Sequence, residues 1–279
     1  MFKLYYWSFG HFVSIFLPII IIAIFYLILR KRSLKTQKTV ILILIFLNVI
    51  QHLFKPFIWY KLYPLETYDI RNSTFCNVCA TSILLSPFMF LGKNEAFKDT
   101  GFYLGILGGI GSLWFISYLY GYSILSIDFI RYFTTHAILM TTSALPVLLG
   151  IQKLKMKNFW IVGLFFLGYE TLVFLDNFII LAFKNGFDWK KAYDVVYLEN
   201  QLFIMHAPSS TVFNSKLLQK LHLSYVIDDG TCIYIPVLWS APALYPFFCG
   251  VASLTTFVFS KIKLNGNYLG ELYPKMKLV

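Results

Sequence analysis

The sequence predicts an all-α membrane protein, a polytopic helix bundle with about seven transmembrane helices. Of its 279 residues, 58% are hydrophobic and only 13% are charged, whereas about a quarter of the residues in an ordinary soluble domain are charged. The mean hydropathy is +0.68. Apolar stretches of about 20 residues, the length that crosses the hydrocarbon layer, fill most of the chain. We therefore expect a single membrane domain over residues 1–279.

Six apolar segments are long enough to span the bilayer at about 1.5 Å per residue. They cover 11–29, 39–59, 76–92, 130–151, 158–183 and 234–259. A seventh segment, 101–120, has no charge and carries glycines in two GxxxG steps, from Gly101 to Gly105 and from Gly105 to Gly109. Because small residues at this spacing let helix backbones approach closely, the segment predicts a buried, tightly packed helix.

The basic residues predict how the chain is oriented. Five Lys and Arg residues between 30 and 38 follow the first apolar segment, which has no small-residue cleavage site. That segment is therefore expected to be a retained helix and not a signal peptide. With the N-terminus outside the cell membrane and the C-terminus cytoplasmic, the inner segments hold 14 of the 24 Lys and Arg residues, as the positive-inside rule favours.

The net charge of +11 is spread between apolar segments and not along one amphipathic face. This distribution predicts contact with anionic lipid head groups and argues against a nucleic-acid partner. One connection, 184–233, is far longer than the others. Connections of that length usually have a function or are disordered, and its aromatic residues argue against disorder. We expect it to fold over the outer face, with a short helix near 188–200.

Polar side chains inside a bilayer are costly to bury, so they are the first candidates for a functional site. Four of them, His11, Cys76, Cys79 and His136, lie near the outer starts of the first, third and fifth predicted helices. At 1.5 Å per residue they lie within roughly 10 Å of one another in depth. A thiolate next to an imidazole base can form a thioester and so carry an acyl group. The alternative is that the thiols pack as small hydrophobes and each imidazole bonds only a carbonyl.

A second polar group lies on the sixth predicted helix. Glu170 and Asn177 are seven residues apart and share a face, with Asp176 on the adjoining one. A buried acid of this kind is typical of a transporter or sensor, although it can also be a structural hydrogen-bonding group. Against a transporter, the chain has no inverted repeat. No metal site or other cofactor is predicted, because no second CxxC follows Cys76 and Cys79 and the histidines lack zinc-site spacing.

Several short motifs resemble those of YwaF-like integral membrane proteins. FCNVCATSILL at 75–85 and IRYFTTHAIL at 130–139 are similar to the Cys motif of that family and to its later His-containing helix. SFGHFVSIF at 8–16 resembles its N-terminal helix, and ENQLFIMHAPSSTVFN at 199–214 its Asn-Tyr-aliphatic-Pro-Ser region. The family includes a eukaryotic transmembrane acyltransferase that remodels phospholipids with a Cys and a His. The YwaF-like family is more distantly similar to androgen-dependent inhibitor-regulating proteins, which are membrane hydrolases that use a Thr and a His.

The resemblance implies a lipid acyltransferase or acyl hydrolase with membrane lipids as substrate. Cys76 is then the nucleophile and His136 the base, while Cys79 is an alternative nucleophile. The sequence departs from the family motif at Thr74, where a His usually stands two residues before the Cys, and at Asn77, which replaces the residue after it.

The same hypothesis needs a donor for the oxyanion that forms during acyl transfer, because such donors contribute most where water is excluded. The candidate supporting residues are Asn77, His11 and Asn200.

Overall fold

The computed structural model describes residues 3–59, 61–62, 64–114, 119–199, 224–226, 232–234, 241–264 and 267–271. Most of these residues are helical, which confirms the predicted all-α class. The helices are α1 Phe9–Leu29, α2 Leu34–Leu53, α3 Lys55–Ile58, α4 Val78–Leu91, α5 Glu95–Trp114, α6 Ile127–Leu148, α7 Phe159–Lys184, α8 Trp189–Glu199 and α9 Ala241–Phe259. Short 3₁₀ turns lie at Leu65–Thr67, Ile70–Ser73 and Met156–Asn158.

Serine side chains fix the starts of three long helices. Ser8, Ser33 and Ser126 precede α1, α2 and α6, and each hydroxyl accepts a hydrogen bond from the backbone N–H three residues along, at 3.2–3.3 Å. Such caps satisfy amides that have no acceptor within the helix, and each stabilises it by about 1 kcal/mol.

The length and apolarity of the helices fit a membrane. Among the described residues, three helical stretches are long and apolar enough to cross one: Phe9–Leu29, Leu34–Leu53 and Met156–Lys184. Two shorter apolar helices are Val78–Leu91 and Leu244–Phe259. On α1, large apolar side chains such as Ile20, Leu27 and Ile28 are about half exposed. Their exposure is explained by contact with lipid tails, which are as apolar as these side chains.

Helix α5 packs tightly against its neighbours, as its glycines predict. A methyl group added at Gly105 would overlap the Ser143 hydroxyl of α6, and one added at Gly109 would overlap Met140. Gly101 has the same relationship with Met89 of α4, whose sulfur would lie 2.9 Å from an added Cβ. The backbone of α5 therefore lies against side chains of both α4 and α6.

Several helix ends differ from the ends of the apolar segments. The predicted segment 39–59 is divided into α2 and α3, because Pro56 has no N–H to continue the ladder of α2 but fits the first turn of a new helix. Helix α5 begins at Glu95, before the predicted 101, since charged residues can occupy the end of a membrane helix. In the described part of 234–259, Tyr234 lies in a strand and the helix begins at Ala241.

Short strands join the connections between helices. Parallel strands β1 and β6 are Leu154–Lys155 and Gly270–Glu271; antiparallel pairs are β2 Ser224–Val226 with β3 Cys232–Tyr234, and β4 Lys263–Leu264 with β5 Asn267–Tyr268. The first pair ties the α6–α7 connection to the chain that follows α9.

Helix α8 lies where the sequence predicts a short helix in the long connection. Its Ala192 and Val196 are buried with Val173, Leu181 and Ala182 of α7. The described part of the connection after α8 is limited to β2 and most of β3.

Candidate functional site

A polar cavity of about 490 Å³ lies at one end of the bundle, where α2 and α5 end and α4 and α6 begin. We call it the cysteine cavity. Its walls include Cys76, Cys79 and His136, three of the four residues that the sequence places at one depth. The structure therefore brings two thiols and an imidazole together around one space.

Cys76 stands immediately before the residue that caps α4. The Asn77 Oδ1 accepts the backbone N–H of Ala80 at 2.8 Å, and its Nδ2 donates to Cys76 Sγ at 3.5 Å. The first amides of a helix have no acceptor within it and favour negative charge nearby. The pKa of the Cys76 thiol is raised above its ordinary value, mainly by burial; the positive charge of Lys55 partly offsets this increase, and the Asp176 carboxylate adds to it.

Helix α2 holds the chain that leads to Cys76. His52 Nε2 donates to the carbonyl oxygen of Thr74 at 3.0 Å, and the Ser73 hydroxyl donates to that of Leu53 at 2.9 Å. The position of Cys76 is therefore fixed from the side of α2 by two hydrogen bonds just before it.

Helix α7 holds the same stretch from the other side. Asp176 Oδ2 accepts the Thr74 hydroxyl at 2.6 Å. The carboxylate also accepts the backbone N–H of Phe75. A charged acceptor makes such hydrogen bonds shorter and stronger than neutral pairs, so Asp176 is an anchor for the residues next to Cys76.

His136 presents a defined tautomer to the cavity. Its Nδ1 lies 2.7 Å from the carbonyl oxygen of Tyr132. Because a carbonyl oxygen only accepts, Nδ1 carries the proton, and Nε2 of the neutral ring keeps its lone pair. The Tyr132 ring packs on the imidazole with centroids 4.2 Å apart. The hydrogen bond to Tyr132 fixes the ring and leaves Nε2 as its proton-accepting nitrogen.

Cys79 is engaged with helix α5. Its Sγ lies 3.3 Å from Ser112 Oγ and 3.6 Å from the carbonyl oxygen of Gly108. A Cβ at Gly108 would lie only 3.2 Å from this sulfur, so the glycine is what admits the thiol. These are the contacts of a thiol that joins two helices, and they favour Cys76 over Cys79 as the nucleophile.

His11 bonds backbone groups at the start of α1 and at the end of α5. Its Nδ1 accepts the backbone N–H of Trp7 at 3.1 Å, and its Nε2 donates to the carbonyl oxygen of Trp114 at 3.0 Å. It does not line the cysteine cavity. With both nitrogens bonded to backbone, His11 ties the start of α1 to the end of α5.

Two further predicted residues, Glu170 and Asn177, also lie apart from the cavity. Glu170 and Asn177 are 2% and 3% exposed on α7, and Asn177 Nδ2 donates to the carbonyl oxygen of Val173 at 2.8 Å. Neither lines the cysteine cavity. Asn200, together with the rest of the motif that follows Glu199, lies outside the described residues.

Sequence reasoning missed the two cations in the cavity. Lys55 and Arg131 both line it and are 9% and 8% exposed. The Lys55 ammonium donates to the carbonyl oxygen of Asn72. A signal for them was present in the sequence: a Lys lies inside the predicted transmembrane segment 39–59, and an Arg lies inside the predicted transmembrane segment 130–151. Within the described ranges, no group of three or more His, Cys, Asp or Glu side chains is arranged to hold a metal ion.

An apolar groove of about 770 Å³ runs between α2 and α4, beside the cavity. Its wall includes Phe46 and Phe88, which are 48% and 65% exposed on the outside of the bundle. Residues 73–75 line the groove, and Cys76 directly after them lines the cavity. The same short stretch of chain therefore separates an apolar, outward-facing space from a polar one.

Apolar helices with exposed hydrophobic side chains and a polar cavity at one end define a multi-pass α-helical membrane protein. The chain belongs to the TMEM164 family, whose model matches residues 6–239 and so includes α1 to α8 and every described residue that lines the cavity. Comparisons with curated proteins and with solved structures found no match.

Proposed function

We propose that the protein is a lipid acyltransferase or acyl hydrolase in which Cys76 is the nucleophile and His136 the general base. The observation that carries the proposal is that both side chains line one cavity, with the lone pair of the imidazole on Nε2. The resemblance of residues 75–85 and 130–139 to the motifs of YwaF-like proteins, and through them to a transmembrane phospholipid acyltransferase, supports it independently.

The first half of the reaction transfers the acyl group to the enzyme. Nε2 of His136 takes the proton of the Cys76 thiol while the sulfur attacks the ester carbonyl carbon of a lipid. The tetrahedral intermediate collapses as the C–O bond to the leaving group breaks. His136 returns the proton to that alkoxide, which leaves a thioester on Cys76.

The second half regenerates the thiol. A hydroxyl group of a second lipid, or water, loses its proton to His136 as its oxygen attacks the thioester carbon. The C–S bond breaks, and the imidazolium returns the proton to the Cys76 thiolate. A lipid hydroxyl gives a new ester, whereas water gives a free fatty acid.

The start of α4 supplies donors for the oxyanion of both intermediates. Nδ2 of Asn77 already donates to the Cys76 sulfur, and the amides of Val78 and Cys79 are the first two of the helix. First-turn amides have no acceptor within a helix and can bind an anion. Each oxyanion donor of this kind contributes about 3 kcal/mol in enzymes that transfer acyl groups.

We place the N-terminus outside the cell membrane, so that the cavity faces the outer leaflet. The start of α1 lies at the cavity end, because His11 bonds Trp114 at the end of α5 and Ser112 of the same turn contacts Cys79. The cluster of Lys and Arg at 30–38 then lies on the cytoplasmic side. A protease site fused before residue 1 would be cleaved in intact cells with this orientation and protected with the opposite one.

A transporter or sensor centred on α7 is the alternative. It would use Glu170 and Asn177, but neither residue lines the cysteine cavity or the apolar groove. Of the α7 acids, Asp176 makes its observed hydrogen bonds to the stretch before Cys76. The contacts of Asp176 therefore favour a structural role for this acid in support of the Cys76 site.

Trapping of the thioester tests the proposal directly. Purified full-length protein in lipid nanodiscs is incubated with phospholipid that carries an alkyne-tagged acyl chain, and the tag is then read on the denatured protein. We expect a label on Cys76 that hydroxylamine removes, because hydroxylamine cleaves thioesters. Cys76→Ala should abolish the label, and His136→Ala should reduce it about a hundredfold or more, the usual contribution of a general base.

Two cysteine variants make the result specific. Cys249 lies on α9, where its Sγ is 3.9 Å from the carbonyl oxygen of Trp160, so Cys249→Ala should label like the wild type. Cys79→Ala should also keep the label on Cys76. A label that survives Cys76→Ala and is lost in Cys79→Ala would move the nucleophile to Cys79. Absence of any hydroxylamine-sensitive label, with acyl exchange equal in wild type and Cys76→Ala, would refute the proposed function.

A further inference from the structure

A second polar cavity, of about 30 Å³, lies between α4, α5 and α6, toward the end of the bundle opposite the cysteine cavity. Its wall includes four hydroxyl groups and a cation, which belong to Ser82, Ser86, Thr142, Ser143 and Lys98. No Asp or Glu is among the described residues that line it. The cavity has room for a water molecule or a small ion.

Ser82 brings an unsatisfied hydroxyl group to this cavity. The residue is 2% exposed, and its Oγ has no hydrogen-bond partner among the described residues. The Ser86 hydroxyl, in contrast, donates to the carbonyl oxygen of Ile83 at 2.7 Å. That of Thr142 donates to the carbonyl oxygen of Ile138 at 2.9 Å. Because a buried hydroxyl without a partner loses the free energy of its hydration, a ligand that accepts a hydrogen bond from Ser82 would stabilise the protein.

Lys98 brings a positive charge that the two acids of α5 do not neutralise. Glu95 forms its ion pairs with Lys155 and Lys157, at 2.6 and 3.6 Å. Asp99 accepts hydrogen bonds from three donors in the connection between α6 and α7. Among the residues that the structure describes, Lys98 forms no ion pair. Its charge is therefore available to a ligand in the cavity.

We infer that this cavity binds a monoatomic anion of the size of chloride, held by the Lys98 ammonium and the hydroxyl groups of Ser82 and Ser143. Ammonium and hydroxyl groups both donate hydrogen bonds, and the positive charge of Lys98 favours an anion over a cation. The three residues lie on α5, α4 and α6 respectively, so the anion joins three helices. The site lies apart from the cysteine cavity and does not depend on the proposed function.

Chloride binding to the full-length protein in lipid nanodiscs tests the site. The protein is titrated with radioactive chloride at constant ionic strength, with gluconate as the replacing anion, and we expect saturable binding. Ser82→Ala and Lys98→Met should each weaken binding about tenfold or more, because each removes a hydrogen-bond donor from the anion. Lys93→Met removes an exposed charge from the same end of the bundle, and Thr171→Val removes an exposed hydroxyl from α7. Both controls should bind chloride like the wild type.

The thermal unfolding temperature provides a second, independent measurement. In the wild type it should rise as chloride replaces gluconate, by about 3 °C or more for each tenfold increase above the dissociation constant. Ser82→Ala should lose this rise, yet in gluconate it should unfold no lower than the wild type, because the hydroxyl has no partner among the described residues. Equal destabilisation of Ser82→Ala in both salts would mean that the hydroxyl is bonded within the protein, and the inference would fail.

Ion substitutions separate an anion from other contents of the cavity. Bromide should replace chloride, whereas the larger sulfate ion should not. Stabilisation that is lost when N-methylglucamine replaces sodium at constant chloride would assign the cavity to a cation and overturn the inference. Stability that depends on neither ion would mean that the cavity holds water only, which also overturns it.

A charge-conserving variant guards against loss of folding at Lys98. Lys98→Arg keeps the positive charge and should bind chloride more tightly than Lys98→Met. If both variants unfold at the same temperature as the wild type in gluconate and bind chloride as tightly as it does, the charge of Lys98 does not hold the ligand and the inference fails.

Discussion

Thr74 and Asp176 are 102 residues apart in the chain, yet the Thr74 hydroxyl donates to the Asp176 carboxylate at 2.6 Å. This bond joins α7 to the stretch that carries Cys76. It links the polar residues of α7, which the sequence suggested as a separate centre, to the cysteine cavity.

Asp176→Ala should therefore loosen the approach to Cys76. Hydrogen bonds to a charged group are worth about 1.5–3 kcal/mol, and we expect the free energy of unfolding in detergent to fall by about that amount. If Cys76 is displaced by about 1 Å, acyl transfer should fall roughly a hundredfold. Thr171→Val, which removes an exposed hydroxyl bonded to the carbonyl oxygen of Leu167 within α7, is the control and should change neither. If Asp176→Ala unfolded and reacted like the wild type, the proposal that Asp176 anchors the stretch before Cys76 would be contradicted.

The same substitution should have opposite effects at two glycines of α5. Gly109→Ala places a methyl group on Met140 of α6 and should destabilise the protein by about 1–3 kcal/mol, the usual cost of overpacking. A Cβ at Gly111 meets nothing within 4 Å, so Gly111→Ala should gain up to about 1 kcal/mol of helix stability. Thermal unfolding in one detergent measures both, and equal shifts of the two variants would show that α5 does not depend on the close contact.

Buried Asp99 should matter far more than its exposed neighbour Glu95. Asp99 is 1% exposed and accepts hydrogen bonds from Gln152 Nε2, the backbone N–H of Lys155 and Asn158 Nδ2 at 2.7–3.1 Å. Asp99→Asn puts an amide donor among these donors and should cost about 1–3 kcal/mol. Glu95 makes a surface ion pair with Lys155 at 2.6 Å, and Glu95→Gln should cost less than about 1 kcal/mol. Chemical denaturation of the two variants in detergent ranks them, and a larger loss for Glu95→Gln would be inconsistent with the buried network.

Asp69 should make stability depend on pH at the end of α7. Partial burial of its carboxyl opposes ionisation, but hydrogen bonds from Arg71 and Lys184 at 2.6–2.8 Å lower its pKa below the ordinary value. A lowered folded-state pKa stabilises the protein above the unfolded pKa, near pH 4, and this stabilisation is lost as the pH falls through the folded pKa.

The unfolding temperature of the wild type should therefore exceed that of Asp69→Asn at about pH 7, and the difference should shrink below about pH 4. The contribution is limited because the pair is partly exposed to solvent. A difference that grows on acidification would mean that the carboxyl is destabilised by folding. Lys184→Met provides a control, since it removes one of the two partners and should reduce the pH dependence without abolishing it.

The helices were predictable because the bilayer sets a minimum length of apolar chain. The ends of the helices were harder to predict. Apolar sequence indicates contact with lipid, whereas the helical hydrogen bonds continue beyond it into polar sequence. Helix α5 shows the difference: its first turn holds Glu95, which no hydropathy criterion would place in a membrane helix. The break before Pro56 could be read from the chemistry of proline and was missed inside an apolar run.

The site was predictable in depth but not in lateral position. Counting residues along helices that start from one side placed Cys76, Cys79 and His136 at one level, and the three line one cavity. His11 satisfies the same count but lies beside Trp114, because depth carries no information on which helices are neighbours. Lys55 was overlooked, since basic residues were used to infer orientation and not to build a site.

The groove between α2 and α4 has a consequence for how the proposed reaction would be measured. A substrate that reaches Cys76 from the side, without leaving the bilayer, responds to its mole fraction in the plane of the membrane. Dilution of the ester with inert lipid should then slow turnover, whereas more vesicles of the same composition should not speed it. The relevant concentration is two-dimensional, and the protein samples its substrate by lateral diffusion.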